Sequence, residues 1–363
     1  MPKTLSMLST SIVKPSSPTP PQHMFLSALD SFWRWFRYNQ RILFFKSENR
    51  SPDFVISHLK ASLASVLVEF FPWAGRAFEQ EGRLALDCND AGVPFIEAYI
   101  DIPFSSLEID GFQYQALFKH FAPHGDVTKW TGPDLPLLSV QVTRFFQDGG
   151  FVLGIGHSHI VADGSSLWHF MKSWGPLCSK GGHGSTVSSS GNGHVIAATD
   201  TDKDKDCIFY VIANMRSKLE PPLPEAYFGN AIIRNGTVAK REEILQETMG
   251  ETALRIQELI ESIDDNFMRT FYGKCEVLPL LKVLDEAEFK MVMLQVSSSP
   301  RFPVYDVDFG WGPPLCVRSP HIRSNGEMVW FCGREGGGSI DVSIALLRPV
   351  MERLEQDESF LSF

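Results

Sequence analysis

The 363-residue chain is 44% hydrophobic and 21% charged, the composition of a folded globular protein long enough for two cores. Its 33 Lys and Arg stand against 43 Asp and Glu, and the net charge of −10 disfavours a nucleic-acid role, which needs a basic patch to neutralise phosphates. Six cysteines, at 88, 178, 207, 275, 316 and 332, form no C-x-x-C pair and no cluster, which predicts reduced thiols, a cytoplasmic setting and no metal site.

Met1 to Pro21 holds no apolar run suited to a signal peptide, and no later stretch has the length of a membrane span. A short strand is predicted around Ser9 to Val13, then an extended Pro-rich segment from Pro15 to Pro21. Between Phe54 and Phe70 the apolar residues Val55, Leu59, Leu63, Val66 and Phe70 recur at three and four, predicting a helix that stops at Pro72. A hairpin follows, Arg76 to Glu79 and Arg83 to Leu86, turned at Glu81-Gly82. Leu138 to Phe146 and Phe151 to Ile155 read as two strands around a turn at Gln147 to Gly150. Beyond Asp163-Gly164, the residues Leu167, Phe170, Met171 and Trp174 mark a helix, with Asp163 or Ser165 placed to cap it.

From Ser179 to Asp206 the composition turns to Gly, Ser, Asp and Lys, which predicts a flexible linker between domains 1–178 and 207–363. Past it, strands are predicted at Cys207 to Ala213, Met291 to Val296, Met328 to Cys332 and Asp341 to Leu347. One helix is predicted over Glu242 to Ile263 and a last one over Pro349 to Glu358.

The chemistry concentrates at His159-Ile160-Val161-Ala162-Asp163-Gly164, an H-x-x-x-D-G run at a strand-to-helix turn. Acyl transfer to an alcohol or amine needs a base that removes the acceptor's proton as it attacks, and an imidazole titrating near neutrality suits that task. His159 is the candidate. Asp163 either orients His159 or serves the helix, by capping it or pairing with an arginine. His157, two positions earlier, reads as structural. A serine hydrolase is the rival reading, but the chain has no G-x-S-x-G elbow. The glycines of Gly333 to Ser339 match neither a phosphate loop nor a dinucleotide fingerprint and read as a hairpin turn.

H-x-x-x-D-G at 159–164, together with Asp308-Phe309-Gly310-Trp311-Gly312 far downstream, resembles the plant BAHD acyltransferases of specialised metabolism. Phe71-Pro72-Trp73-Ala74-Gly75-Arg76 is similar to the family's F-Y-P-L-A-G-R. Asn214 to Leu219, leading through Pro221-Pro222-Leu223-Pro224 to Tyr227-Phe228-Gly229-Asn230, is similar to its N-x-R-x-R-x-x-P-P-L-P segment. The resemblance implies an α/β, mixed α+β fold: two similar domains of the chloramphenicol-acetyltransferase-like type, with mixed sheets flanked by helices and an active-site channel at their interface. It implies a monomeric enzyme with no permanently bound cofactor, acyl-coenzyme A as co-substrate and a small hydroxyl or amine acceptor. His159 would be the general base. Asp163, Gly164 and Arg216 would support the site, with Arg216 paired to Asp163. Asp308, Phe309, Gly310, Trp311 and Gly312 would form an architectural and coenzyme-binding loop remote from the reacting atoms. Against the family's longer crossover, the polar stretch Ser179 to Asp206 implies that the second domain lacks a strand and a helix. A folded relative that binds ligands without turning them over is therefore the alternative function.

Overall fold

The structure, a computed structural model, describes residues 5–47, 50–146, 149–175, 198, 205–277, 292–322, 326–334 and 338–361. The predicted linker lies almost wholly outside these residues, as do 147–148 of the predicted turn and 335–337 of the glycine-rich stretch. Two compact units form, one from Met1–Gly182, Phe228–Asn230 and Phe302–His321, the other from His183–Tyr227, Ala231–Arg301 and Ile322–Phe363.

In the first unit six strands make one sheet, in the order Leu5–Val13, Val93–Pro103, Leu138–Phe146, Gly150–His157, Asn39–Lys46 and Cys316–Arg318. Every pairing is antiparallel except Val93–Pro103 with Leu138–Phe146. Gly150–His157 is buried at all eight positions, so it reads as a continuous apolar run rather than an alternating one. Its glycines have a steric reason. A Cβ on Gly154 would stand 1.8 Å from the Phe121 carbonyl oxygen, and one on Gly156 would stand 2.5 Å from that of Pro123.

The predicted helix spans Pro52–Val66, with the Ser51 side chain accepting from the Phe54 amide and Pro52 in the first turn. It buries Val55, Leu59, Leu63 and Val66 of the marked stripe and ends at Val66, short of the expected Phe70. The predicted hairpin is Arg76–Gln80 with Arg83–Cys88, and Gln22–Phe25 joins it as a third strand. Glu81 and Gly82 turn it with φ of +52° and +76°, the left-handed pair that a two-residue hairpin loop demands.

The second unit carries a five-stranded sheet in the order Ile232–Lys240, Asp206–Asn214, Val292–Val296, Glu327–Cys332 and Ile340–Ala345. Its two outer pairs are antiparallel and its two inner pairs parallel. Cys207, Leu294, Met328 and Leu354 form a core there, with Phe209, Val292, Val296, Trp330 and Ile344 packed against it.

Three larger differences from the sequence reading concern two helices and the domains. The expected single helix over Glu242 to Ile263 is two, Arg241–Gln246 and Met249–Glu261. Thr248 breaks it: its side chain accepts from the Glu251 amide while Glu251 Oε2 accepts from the Thr248 amide at 2.7 Å, a reciprocal capping box. The terminal helix likewise divides into Arg348–Leu354 and Glu358–Leu361.

The third difference concerns the domains. Asp308 to Gly312 was expected in a C-terminal domain of residues 207–363, yet it folds with the first unit. The cause is strand pairing. Cys316–Arg318 adds antiparallel to Asn39–Lys46, with Val317 opposite Leu43, and completes that edge of the sheet.

Candidate active site

The strand Gly150–His157 carries the motif to its place. The Ser158 amide donates to the Leu137 carbonyl at 2.8 Å, extending the ladder by one residue before the chain turns away with His159. Asp163 then caps the helix Gly164–Trp174, its Oδ1 accepting from the Ser166 amide at 3.0 Å. Fully buried, Asp163 is thus a structural group at the helix start, one of the two roles its sequence position allowed. Gly164 opens the helix, where a Cβ would meet the Phe302 ring at 2.7 Å.

Ser166 joins this helix start to a distant piece of chain. Its hydroxyl donates to the Gly229 carbonyl at 2.9 Å and accepts from the Gly229 amide at 3.0 Å. Those bonds fasten Phe228–Asn230 beside the turn and present Asn230 to the imidazole. His159 Nδ1 lies 3.1 Å from Asn230 Oδ1. The Asn230 amide nitrogen donates to the His159 carbonyl at 2.8 Å and to Asp30 Oδ1 at 2.9 Å. Asp30 in turn accepts from the Ser27 amide and hydroxyl at 3.2 and 2.6 Å, inside the capping box of the short helix Ala28–Phe32. The next residue, Trp33, stacks on the His159 ring with centroids 4.1 Å apart and planes 18° from parallel.

The electrostatics disfavour the protonated form of this histidine. Burial pushes the His159 imidazole below its ordinary value of 6.5, against the opposing pull of the Asp163 charge and the Asn230 hydrogen bond. His157, buried completely, is held well below 6.5 by loss of solvent and then by the charges of His159 and Arg41. Burial raises the Asp30 carboxyl, opposed by the bonds from Ser27 and Asn230.

A stability prediction follows from His157. Above pH 6.5 it is neutral in both folded and unfolded chains. Below that value the unfolded chain takes up the proton and the folded one resists, so stability falls with falling pH, by up to about 1.4 kcal/mol per unit for one such group. Urea unfolding at pH 7.5, 6.5 and 5.5 should show that decline, and His157→Gln should make it shallower, the remainder coming from other partly buried histidines such as His159 and His124. A slope unchanged by that substitution contradicts the assignment.

The other predicted residues have surroundings of their own. Asp308 Oδ1 accepts from the amides of Gly310 and Gly312 at 2.7 and 2.9 Å, closing the loop upon itself. Gly310 and Gly312 hold φ of +93° and +94°, which glycine alone adopts freely. Fully buried Phe309 packs on Trp174 and Phe45, at centroid distances of 5.1 and 5.9 Å, and Trp311 packs edge-on to Phe151 at 5.7 Å. Phe45 pairs with Phe151 while Asn39 pairs with His157, so this loop sits about 20 Å along the strands from the histidine end. Arg216 folds with the second unit, donating to Asn214 Oδ1 at 3.2 Å and lying 5.4 Å from the Tyr227 ring centroid. Among the described residues no helix is long and apolar enough to cross a membrane, and no His, Cys, Asp and Glu group is arranged to hold a metal.

Sequence reasoning missed Asp30, Trp33 and Asn230 as site residues. Ser27-Ala28-Leu29-Asp30 is a legible capping signature, but nothing local says that Asp30 also reaches an asparagine 200 positions on.

A sequence model of the Transferase family matches residues 3–191 and 193–361. The chain is 30% identical to BAHD acyltransferase DCR of Arabidopsis thaliana, over 98% of this chain and 92% of that one. It is 28% identical to the limonoid 21-O-acetyltransferase of Citrus sinensis, over 99% and 98%. Among solved structures, vinorine synthase superposes with a TM-score of 0.76 at 22% identity, covering 99% of this chain and 98% of its own. TRI101 of F. sporotrichioides, complexed with coenzyme A and T-2, superposes with a TM-score of 0.73 at 16% identity, over 94% and 99%. The chain therefore belongs to the Transferase family and, within it, to the BAHD acyltransferases, enzymes that move an acyl group from a coenzyme A thioester to an acceptor.

Proposed function

We propose that His159 is the general base of this transfer and that the acceptor is a small alcohol, with an amine as the variant chemistry. In this reading His159 takes the acceptor's proton as its oxygen attacks the thioester carbonyl. The C–S bond then breaks, and the proton passes to the departing coenzyme A thiolate, leaving an ester and a free thiol. No acyl-enzyme forms. The observation that carries the reading is the backing of His159 Nδ1 by Asn230 at 3.1 Å, beside a ring stacked on Trp33. The O-acetyltransferase among the relatives favours a hydroxyl acceptor. Free cysteines at 88, 207, 275, 316 and 332 suit the reducing cytoplasm.

A second reading rests on length. The alignment with the Arabidopsis relative runs over 455 positions, more than the 363 residues of this chain, so the relative has segments with no counterpart here. A folded protein that binds acyl-coenzyme A without transferring from it is that alternative. One assay separates the readings: free thiol released from acetyl- and hydroxycinnamoyl-coenzyme A, with and without a panel of alcohols. Release that depends on the alcohol, with ester formed, is the expected result. Release without acceptor indicates a hydrolase. No release, together with a melting temperature raised by acyl-coenzyme A, indicates the silent binder.

A further inference from the structure

The hydrogen bonds around Asn230 do more than hold His159 in place, because they determine which ring nitrogen carries the proton. An asparagine side chain has one acceptor end and one donor end, and its neighbours decide which way it faces. Here the donor end meets two groups that only accept, the His159 backbone carbonyl at 2.8 Å and the Asp30 carboxylate at 2.9 Å. The acceptor end must therefore face the imidazole, where Oδ1 stands 3.1 Å from Nδ1. An oxygen there requires a hydrogen on Nδ1. The lone pair is then left on Nε2.

We propose, resting on His159 as the general base, that Asn230 and Asp30 are positioning residues that lock His159 in the Nδ1–H tautomer, so that Nε2 is always the basic nitrogen. Asp30 acts one step back. Its Oδ2 accepts from the Ser27 amide and hydroxyl, which leaves Oδ1 facing the Asn230 amide as a fixed acceptor.

The amide between the two ionisable groups has a second consequence. In a direct Asp–His pair the carboxylate charge raises the imidazole pKa. In this arrangement the amide transmits orientation from Asp30 but keeps the carboxylate off the ring. Among the described residues, the charged and titratable groups near His159 include Asp163 at the helix start, Arg41 on the strand Asn39–Lys46, His157 on its own strand and Asp30 beyond the amide. Trp33 covers a ring face without adding charge.

Asp30→Asn is the telling variant because it is isosteric yet has only one acceptor atom. The Ser27 amide and hydroxyl claim that oxygen, so the new amide nitrogen faces Asn230 as a donor and sets it against the His159 carbonyl, which still asks for the original orientation. Asn230 is then pulled both ways and its hold on Nδ1–H weakens. Asn230→Ala removes the lock altogether.

The test is 15N-detected NMR of the full-length chain labelled at histidine, with kinetics and thermal melting of the same samples. Expected are an Nδ1–H signature for His159 in the wild type and a mixture of the two tautomers in both Asn230→Ala and Asp30→Asn. Both variants should lose kcat by about 10- to 10²-fold, less than complete loss of a general base or a fully wrong tautomer would cost, with KM changed little and the loss uniform above the acid limb of the pH profile. An Nε2–H signature in the wild type overturns the proposal, as does an unaltered tautomer in both variants. Folding failure is read separately, from the melts, and Asp30→Asn provides the isosteric variant if Asn230→Ala unfolds. If His159→Ala retains normal transfer, the base reading fails instead, while the tautomer signatures still decide whether Asn230 and Asp30 form the lock.

Discussion

His159→Ala is expected to lose transfer by about 10²- to 10⁴-fold in kcat, the range general acid–base catalysis supplies, while the protein still melts cooperatively. The two outcomes separate because His159 is only partly buried and lies past the end of its strand. Its removal gives up one ring stack and leaves Asn230 Oδ1 without its partner at 3.1 Å. An orphaned polar group costs about 1–3 kcal/mol, less than the 5–15 kcal/mol that stabilises a typical domain. Coenzyme A thiol release at saturating donor and acceptor measures the first effect, and a thermal melt the second. Turnover within threefold of the wild type contradicts the assignment of the base. Because burial lowers the His159 pKa, the wild-type acid limb should fall below pH 6.5 rather than above it.

Gly154→Ala is the corresponding prediction for stability, and it should reverse the pattern. The new methyl group would stand 1.8 Å from the Phe121 carbonyl oxygen and 2.9 Å from the Ala122 Cα, so it meets backbone rather than a movable side chain. Neither side can retreat cheaply. Gly154 pairs with Ile42 on one flank and Gln141 on the other. The opposing segment is pinned by Gln40 Nε2 donating to Pro123 O at 2.6 Å and Gln141 Nε2 donating to His120 O at 2.7 Å. Overpacking of this kind costs about 3 kcal/mol or more, a fall of roughly 6–12 °C in Tm for a unit of this size. Gly273→Ala, in the helix Asp265–Val277 with nothing within 4 Å of the new carbon, should instead raise stability by up to about 1 kcal/mol. Differential scanning calorimetry of both variants checks the contrast. A Gly154→Ala protein that melts with the wild type would mean that the loop 121–123 does not lie against the strand.

The elements that were legible in the sequence are those whose cause is local. Pro52–Val66 shows its stripe at three- and four-residue spacing, and the hairpin at Glu81-Gly82 shows its turn chemistry. The strand–turn–helix around His159 combines an apolar run with a cap. Asn39–Lys46 was not legible, because Gln40 to Phe45 are all buried and no alternation marks them as strand. Its partners Gly150–His157 and Cys316–Arg318 lie far along the chain. The same physics hid half of the site. His159 announces itself by spacing, whereas Asn230 matters only because Ser166 grips Gly229 beside it, and Asp30 only because Asn230 then reaches it. The break at Thr248 was readable and overlooked, since Thr248-Met249-Gly250-Glu251 is a capping-box sequence.

The scattered make-up of the first unit sets a timetable for its birth. A ribosome that has just added Gly182 has produced most of that unit, yet neither Asn230 nor the strand Cys316–Arg318 exists. At the usual speed of translation, roughly ten to thirty seconds pass before that last strand emerges. Throughout the wait, the apolar run Ile42–Phe45 sits at an open sheet edge, the kind of surface that recruits foreign strands. A product cut off before Cys316 would keep that edge permanently.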